Sequence, residues 1–241
     1  MMLKKTTPSP SPPASHGEKK TKGRARKTLQ ILRKTYTKTP EAFVRWKNPL
    51  ELTIATVLSA QCTDKKVNEV TATLFKKYKT AKDYANANLN TLEKDVHSTG
   101  FYKSKAKYLK GIGTLLVKNF GGTIPKTRDE LITLPGVSYK SANLIMAKTF
   151  GIPTGIAVDT HVNRVAPRLG LTYEKNSTEK KAADLEKLFP KKDWLDVNEY
   201  FILHGRATCV GQKPKCVGCP LRTLCPSAEK YIKMYWSDAT T

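Results

Sequence analysis

Four cysteines fall within seventeen residues, at Cys209, Cys216, Cys219 and Cys225, in the spacing C-x6-C-x2-C-x5-C. The fifth and last cysteine, Cys62, stands alone. Thiols this close either pair as disulfides or share a metal, and either way the C-terminal region must fold around them. No N-terminal stretch has the apolar core of a signal peptide, and no run is long enough to span a bilayer. A cytoplasmic or nucleoid location is expected, where thiols stay reduced. A chain of 241 residues also buries an adequate core without disulfide staples, so metal is the favoured reading. Zinc and iron–sulfur clusters both accept four thiolates. Zinc sites usually show two C-x2-C pairs; here there is one, and the flanking gaps lean toward a [4Fe–4S] cluster while leaving zinc open.

Lysine and arginine number 43 against 20 acidic residues, a formal charge of +23. Such an excess repels itself unless a polyanion is the partner. Nucleic acid is the first candidate and an anionic membrane surface the weaker one. Residues 1–27 hold eight basic side chains, one acid and four prolines, with almost nothing apolar. That composition predicts a disordered basic arm. The remainder still carries +16, so the folded part is itself basic.

The rest reads as all-α, since no segment sustains period-two alternation. Helical spacing appears over 28–36, and Asn48-Pro49-Leu50-Glu51 is a helix start with Asn at the cap and Pro at the first position. The helix that follows, LTIATVLSAQ, is apolar nearly all round, which predicts a buried central element. Further helices are expected near 65–78, 81–85, 91–96, 104–119, 127–132, 138–150, 160–168, 177–188 and 193–207. Asn176 with Glu179 reads as another capping box, and Gly151 as a helix stop.

Residues 131–143, LITLPGVSYKSAN, place a tight Pro135-Gly136-Val137 turn between two helices. Gly136 can take a positive φ, and the turn leaves amides free beside a helix N-terminus, a ready anion site. For a basic protein the natural anion is a nucleic-acid phosphate. Lys140 sits in the first turn of the new helix, where the dipole disfavours its ammonium form; partial burial would add to this. A neutral lysine suits Schiff-base chemistry, although a plain surface lysine also fits. Asp159, in IAVDTHVNRV, is either an N-cap alone or a carboxylate for ammonium binding and proton transfer. His161 reads as a histidine satisfied within its own helical turn.

Together, LPGVSYKSAN, VDTHVNRV, LHGRATC with its cysteine spacing, LSAQCTDKKVN and GFYKSKA closely resemble the endonuclease III family of helix-hairpin-helix, Gly/Pro-Asp DNA glycosylases. The resemblance runs from about residue 28 to about 228. It implies a six-helix domain over 45–153 and a second domain built from 28–44 and 154–241, with double-stranded DNA bound between them by a monomer. It implies that Lys140 attacks C1′ of a damaged nucleoside, typically an oxidised pyrimidine, with Asp159 assisting, and that β-elimination then nicks the strand. It implies that Gln61 fills the space left by the flipped nucleotide, that Phe101 is an apolar wedge, and that Gly136, Val137 and Ser138 hold a phosphate. Cys209, Cys216, Cys219 and Cys225 would bind a structural [4Fe–4S] cluster that aims Lys213 and Lys215 at the backbone.

Two positions depart from the family pattern. Ser138 stands where the hairpin usually has a second glycine, so either the site accepts ordinary backbone geometry or the grip on DNA weakens. Cys62 replaces a frequent alanine and reads as a small buried hydrophobe. Competing readings are a monofunctional glycosylase of the same superfamily, which typically lacks a lysine at position 140, a noncatalytic DNA-binding module, and a zinc-stabilised RNA-binding protein.

Overall fold

A computed structural model describes residues 16–39 and 42–236; among these there are twelve α-helices and no strand. In chain order they are α1 (His16–Thr35), α2 (Pro49–Leu58), α3 (Asp64–Lys77), α4 (Ala81–Asn86), α5 (Leu89–Val96), α6 (Tyr102–Asn119), α7 (Arg128–Leu131), α8 (Tyr139–Phe150), α9 (Thr160–Arg168), α10 (Thr178–Leu188), α11 (Trp194–Ala207) and α12 (Ala228–Tyr235).

Two apolar cores organise them. The first is built from α2 to α8 and includes Leu52, Ile54, Leu58, Leu109, Ile112 and Ile145. Its centre is α2, in which every residue from Leu52 to Leu58 is buried, as its all-round apolar sequence predicts. Asn48 caps this helix, its side-chain oxygen accepting from the Glu51 amide at 2.9 Å, and Pro49 opens it. The second core joins α1 to the region after residue 155, through Ala25, Leu29, Leu32, Val162, Val165, Leu185 and Phe201. Sequence-distant α1 is thus stitched to α10 and α11.

The cores are tied to each other by charge. Glu199 of α11 pairs with Lys148 of α8 at 2.8 Å and with Lys38 at 2.6 Å. Arg206 of α11 reaches Asp64 at the start of α3 at 2.6 Å and donates to the Ala42 carbonyl. These links fix how α11 sits against the first core.

The structure corrects three expectations. The basic arm predicted over 1–27 is helical from His16 onward; residues 1–15 lie outside the described residues. The helix extends because Ala25, Thr28, Leu29 and Leu32 are buried on one face and Arg24 donates to the Leu169 carbonyl at 3.1 Å, contacts to which composition is blind. Helix α10 is capped not by Asn176 but by Ser177, whose hydroxyl accepts from the Lys180 amide at 3.1 Å. Glu174 accepts from the amides of both Asn176 and Ser177 and folds the preceding turn one residue later. Finally, α12 follows the last cysteine, where no helix is expected.

Candidate active site

The hairpin turn forms between α7 and α8. Gly136 adopts φ +77°, and a Cβ there would lie 2.8 Å from the ring of Tyr108, so both the backbone and the space require glycine. The side chain of Val137 is only 7 % exposed and belongs to the first core, and its amide donates to the Leu134 carbonyl at 3.1 Å. It plugs the turn from inside. Ser138 has φ −88° and ψ 169°, ordinary extended geometry, and caps α8 by accepting from the Ser141 amide at 3.3 Å. The position therefore does not need a glycine, and serine supplies a cap that glycine cannot.

The amides of Ser138, Tyr139 and Lys140 have no acceptor among the described residues. They stand free at the N-terminus of a 12-residue helix, where unpaired N–H groups and the helix dipole favour an anion. Lys140 is exposed on this first turn, so the expected partial burial is absent in the free protein. No hydrogen-bond or ion-pair partner among the described residues engages its ammonium.

Asp159 caps α9, one carboxylate oxygen accepting from the Val162 amide at 2.8 Å. Its other oxygen has no hydrogen bond among the described residues. The loop between α8 and α9 is held back against α8: Thr154 donates to Asn143, one turn beyond Lys140, at 2.8 Å. The loop is further pinned by Asn198 donating to the Ala157 carbonyl at 2.7 Å and by the Ile156 amide on Glu186 at 2.8 Å. A lysine and a carboxylate are thus presented from the N-termini of two helices connected by a rigidly anchored loop. His161 meets Arg164 across 3.2 Å, and burial, opposed by the Asp159 charge, lowers its pKa. This is the locally satisfied histidine that the sequence predicts.

Three non-glycine residues among those described take a positive φ: Gln61 at +52°, Phe101 at +49° and Lys213 at +45°. All three are candidate DNA contacts. Left-handed geometry costs a side-chain-bearing residue about 1–2 kcal/mol, and such strain concentrates at functional positions. Phe101 is 65 % exposed, which removes the alternative of a core aromatic. Gln61 is exposed in the turn between α2 and α3, and Cys62 beside it packs partly against the first core. Lys213 and Lys215 are both exposed.

The four clustered cysteines are free thiols lining one narrow, apolar cavity with Arg168, Leu169, His204 and Tyr231. No disulfide forms, and no three potential ligands among the described residues converge on a single ion. Donors point at the sulfurs, among them Arg168 to Cys209 at 3.4 Å and the Leu221 amide to Cys219 at 3.4 Å. Burial pushes the Cys219 thiol up to about 11 and also raises Cys216 and Cys225. Thiolates in such walls need a cationic centre to balance them. A site with four sulfur donors, apolar walls and hydrogen bonds to sulfur has the chemistry to hold a cationic metal centre.

Residues 54–191 match the HhH-GPD superfamily base excision DNA repair protein family. Endonuclease III of Synechocystis sp. is 44 % identical over 210 residues, spanning 86 % of this chain and 94 % of that relative. The chain belongs to the endonuclease III family. A solved non-covalent endonuclease III–DNA complex is similar with a TM-score of 0.83 at 41 % identity, covering 88 % of this chain and 98 % of that one. A trapped endonuclease III–DNA covalent intermediate, in an estranged-adenine complex, is similar with a TM-score of 0.81 at 41 % identity over the same shares.

Several supporting residues of this chain carry no mark in the sequence. Arg168 donates to the Val210 carbonyl at 2.7 Å and to the Gly211 carbonyl at 2.9 Å, and its guanidinium lies over the Tyr231 ring. Trp236 donates to the Pro214 carbonyl at 3.0 Å, and the Lys213 ammonium lies 4.6 Å from its ring centre. The 210–215 loop is therefore pinned by an arginine and a tryptophan. Nothing in the spacing of Arg168 or Trp236 marks them, because both act across the fold.

Proposed function

We propose that this endonuclease III family chain excises damaged bases, oxidised pyrimidines above all, from double-stranded DNA and nicks the resulting abasic site. It is a DNA glycosylase and abasic-site lyase of base excision repair. The observation that carries the reading is Lys140: an exposed, unpartnered amine at the mouth of α8, beside three free amides. A phosphate seated on those amides would bring the sugar of a neighbouring nucleotide to the lysine.

Lys140 in its neutral form would attack C1′. The N–C1′ bond forms as the glycosidic bond breaks, and the departing base takes the electron pair. Opening of the sugar ring gives a protonated Schiff base. Loss of a C2′ proton then expels the 3′ phosphate, which nicks the strand, and hydrolysis frees Lys140. The unbonded oxygen of Asp159 would accept the lysine proton or oppose positive charge developing on the sugar. The target nucleotide must leave the stack to reach this site. Phe101, exposed and strained, is suited to wedge between bases, and Gln61 to occupy the vacated space.

Cys209, Cys216, Cys219 and Cys225 would hold a [4Fe–4S] cluster, which when bound would brace the 210–215 loop rather than take part in bond breaking. Lys213 and Lys215 would then meet phosphates nonspecifically. Such an enzyme works in a DNA-containing compartment, and among the described residues no helix is long and apolar enough to cross a membrane.

The test is strand nicking on abasic-site and oxidised-pyrimidine duplexes. Lys140→Ala should abolish both reactions, and Asp159→Asn should slow both while leaving DNA binding intact. Nicking by Lys140→Ala at the wild-type rate would refute the assignment.

A further inference from the structure

We propose that Lys105 is a positioning residue that sets the separation of the Gln61 and Phe101 loops, so that both enter the duplex as one unit. The inference rests on the reading of Gln61 and Phe101 as the residues that meet the opened stack.

Lys105 lies near the start of α6 and is only 3 % exposed. Its ammonium donates to two carbonyls, Leu58 at 2.8 Å and Thr99 at 2.8 Å. Leu58 ends α2, three residues before Gln61. Thr99 lies two residues before Phe101, and the backbone amide of Lys105 donates to the Phe101 carbonyl itself at 3.0 Å. A single residue therefore holds the root of one loop and both sides of the strained turn in the other. No other donor among the described residues reaches the Leu58 or Thr99 carbonyl.

Packing does not account for a lysine here. Its neighbours Ala106 and Leu109 are fully buried, and no carboxylate among the described residues pairs with the ammonium. Burial pushes its pKa down. Removing an ammonium from water without a counter-charge is costly, and an apolar side chain would fill the same space without that cost. The lysine supplies what an apolar residue cannot: donors that join two carbonyls from loops 41 residues apart in sequence. Those loops are the ones bearing two of the three strained side chains.

The experiment compares single-turnover nicking at an abasic site in duplex and in single-stranded DNA. Single strands have no stack to open, so they do not need the two loops. Lys105→Met should slow the duplex reaction by on the order of 10- to 100-fold, the effect expected of a misplacement near 1 Å, while the single-strand rate stays near that of wild type. Gln61→Ala and Phe101→Ala should show the same selective loss, and adding Lys105→Met to the pair should slow the duplex reaction less than the product of the separate effects. Equal loss on both DNAs would mean that Lys105 merely supports the fold and would overturn the proposal. A wild-type duplex rate in Lys105→Met, with Gln61→Ala and Phe101→Ala impaired, would overturn it while leaving the reading of the loops intact. Unimpaired Gln61→Ala and Phe101→Ala would overturn that reading, and the role of Lys105 with it. If Lys105→Met does not fold, Lys105→Gln, one bond too short to join the Leu58 and Thr99 carbonyls as lysine does, should show the same selective loss of the duplex rate, and an equal loss on both DNAs would overturn the proposal.

Discussion

Replacing Gly136 with alanine asks whether the hairpin is built around a missing side chain. Two costs are separable. The first is conformational: at φ +77° a side-chain-bearing residue is less stable by about 1–2 kcal/mol. The second is steric: the new Cβ would fall 2.8 Å from the Tyr108 ring and 3.3 Å from Val57, and overpacking of this kind costs roughly 1–3 kcal/mol. Gly151 isolates the first cost, since it has φ +67° with nothing within 4 Å of an added Cβ. Gly151→Ala should therefore lose about 1–2 kcal/mol, and Gly136→Ala a further 1–3 kcal/mol or so. Urea unfolding of both variants measures the difference. In a Tyr108→Ala background the excess at Gly136 should shrink, because the ring that meets the new methyl is gone. Binding to an abasic-site duplex, followed by fluorescence anisotropy, should weaken for Gly136→Ala and hold for Gly151→Ala, because only the former turn presents the free amides of α8. Equal destabilisation of the two variants, or an undiminished excess without the Tyr108 ring, would refute the steric argument.

Three further outcomes follow from the same geometry. Ser138→Ala should lose about 1 kcal/mol of stability and Ser138→Gly only a few tenths, as expected for an N-cap; chemical unfolding distinguishes this from strain relief, in which glycine would stabilise. Lys213→Ala and Lys215→Ala should each weaken binding to all DNA sequences alike and flatten the dependence of log K on log salt by about one unit, measured by anisotropy titrations at several salt concentrations. Burial opposes ionisation of Asp196, but Lys38 and Arg33 outweigh it and hold the carboxyl below its usual range. Its stabilisation is thus complete above the ordinary carboxylate value and lost as pH falls through the lower folded value, so unfolding below about pH 4 should be less steeply pH-dependent in Asp196→Asn than in wild type.

What could be read in the sequence was local. Asn48-Pro49 starts α2, Gly151 ends α8 and Gly136 takes its positive φ because each acts on its own few residues. The apolar run after Pro49 announced a central helix without any knowledge of its neighbours. Long-range contacts were not legible. The basic stretch of α1 is helical because Ala25, Leu29 and Leu32 meet a core whose other half lies more than 120 residues downstream. Ser177 displaced Asn176 as a cap because Glu174 seized the nearby amides first. Val137 lies in a motif that suggests phosphate contact, yet its apolar side chain is worth more inside the core. Lys105, Arg168 and Trp236 act on carbonyls far along the chain, and a basic composition hides two such cations among many.

The proposed chemistry turns on one covalent bond, between Lys140 and C1′ of the sugar. Incubation with abasic-site duplex and borohydride should reduce the Schiff base to a stable secondary amine, leaving protein and DNA cross-linked. Proteolysis and mass spectrometry of the adduct should place the sugar remnant on the peptide containing Lys140, and Lys140→Ala should give no adduct. A cross-link at another amine, or one that forms as readily in Lys140→Ala, would contradict the account.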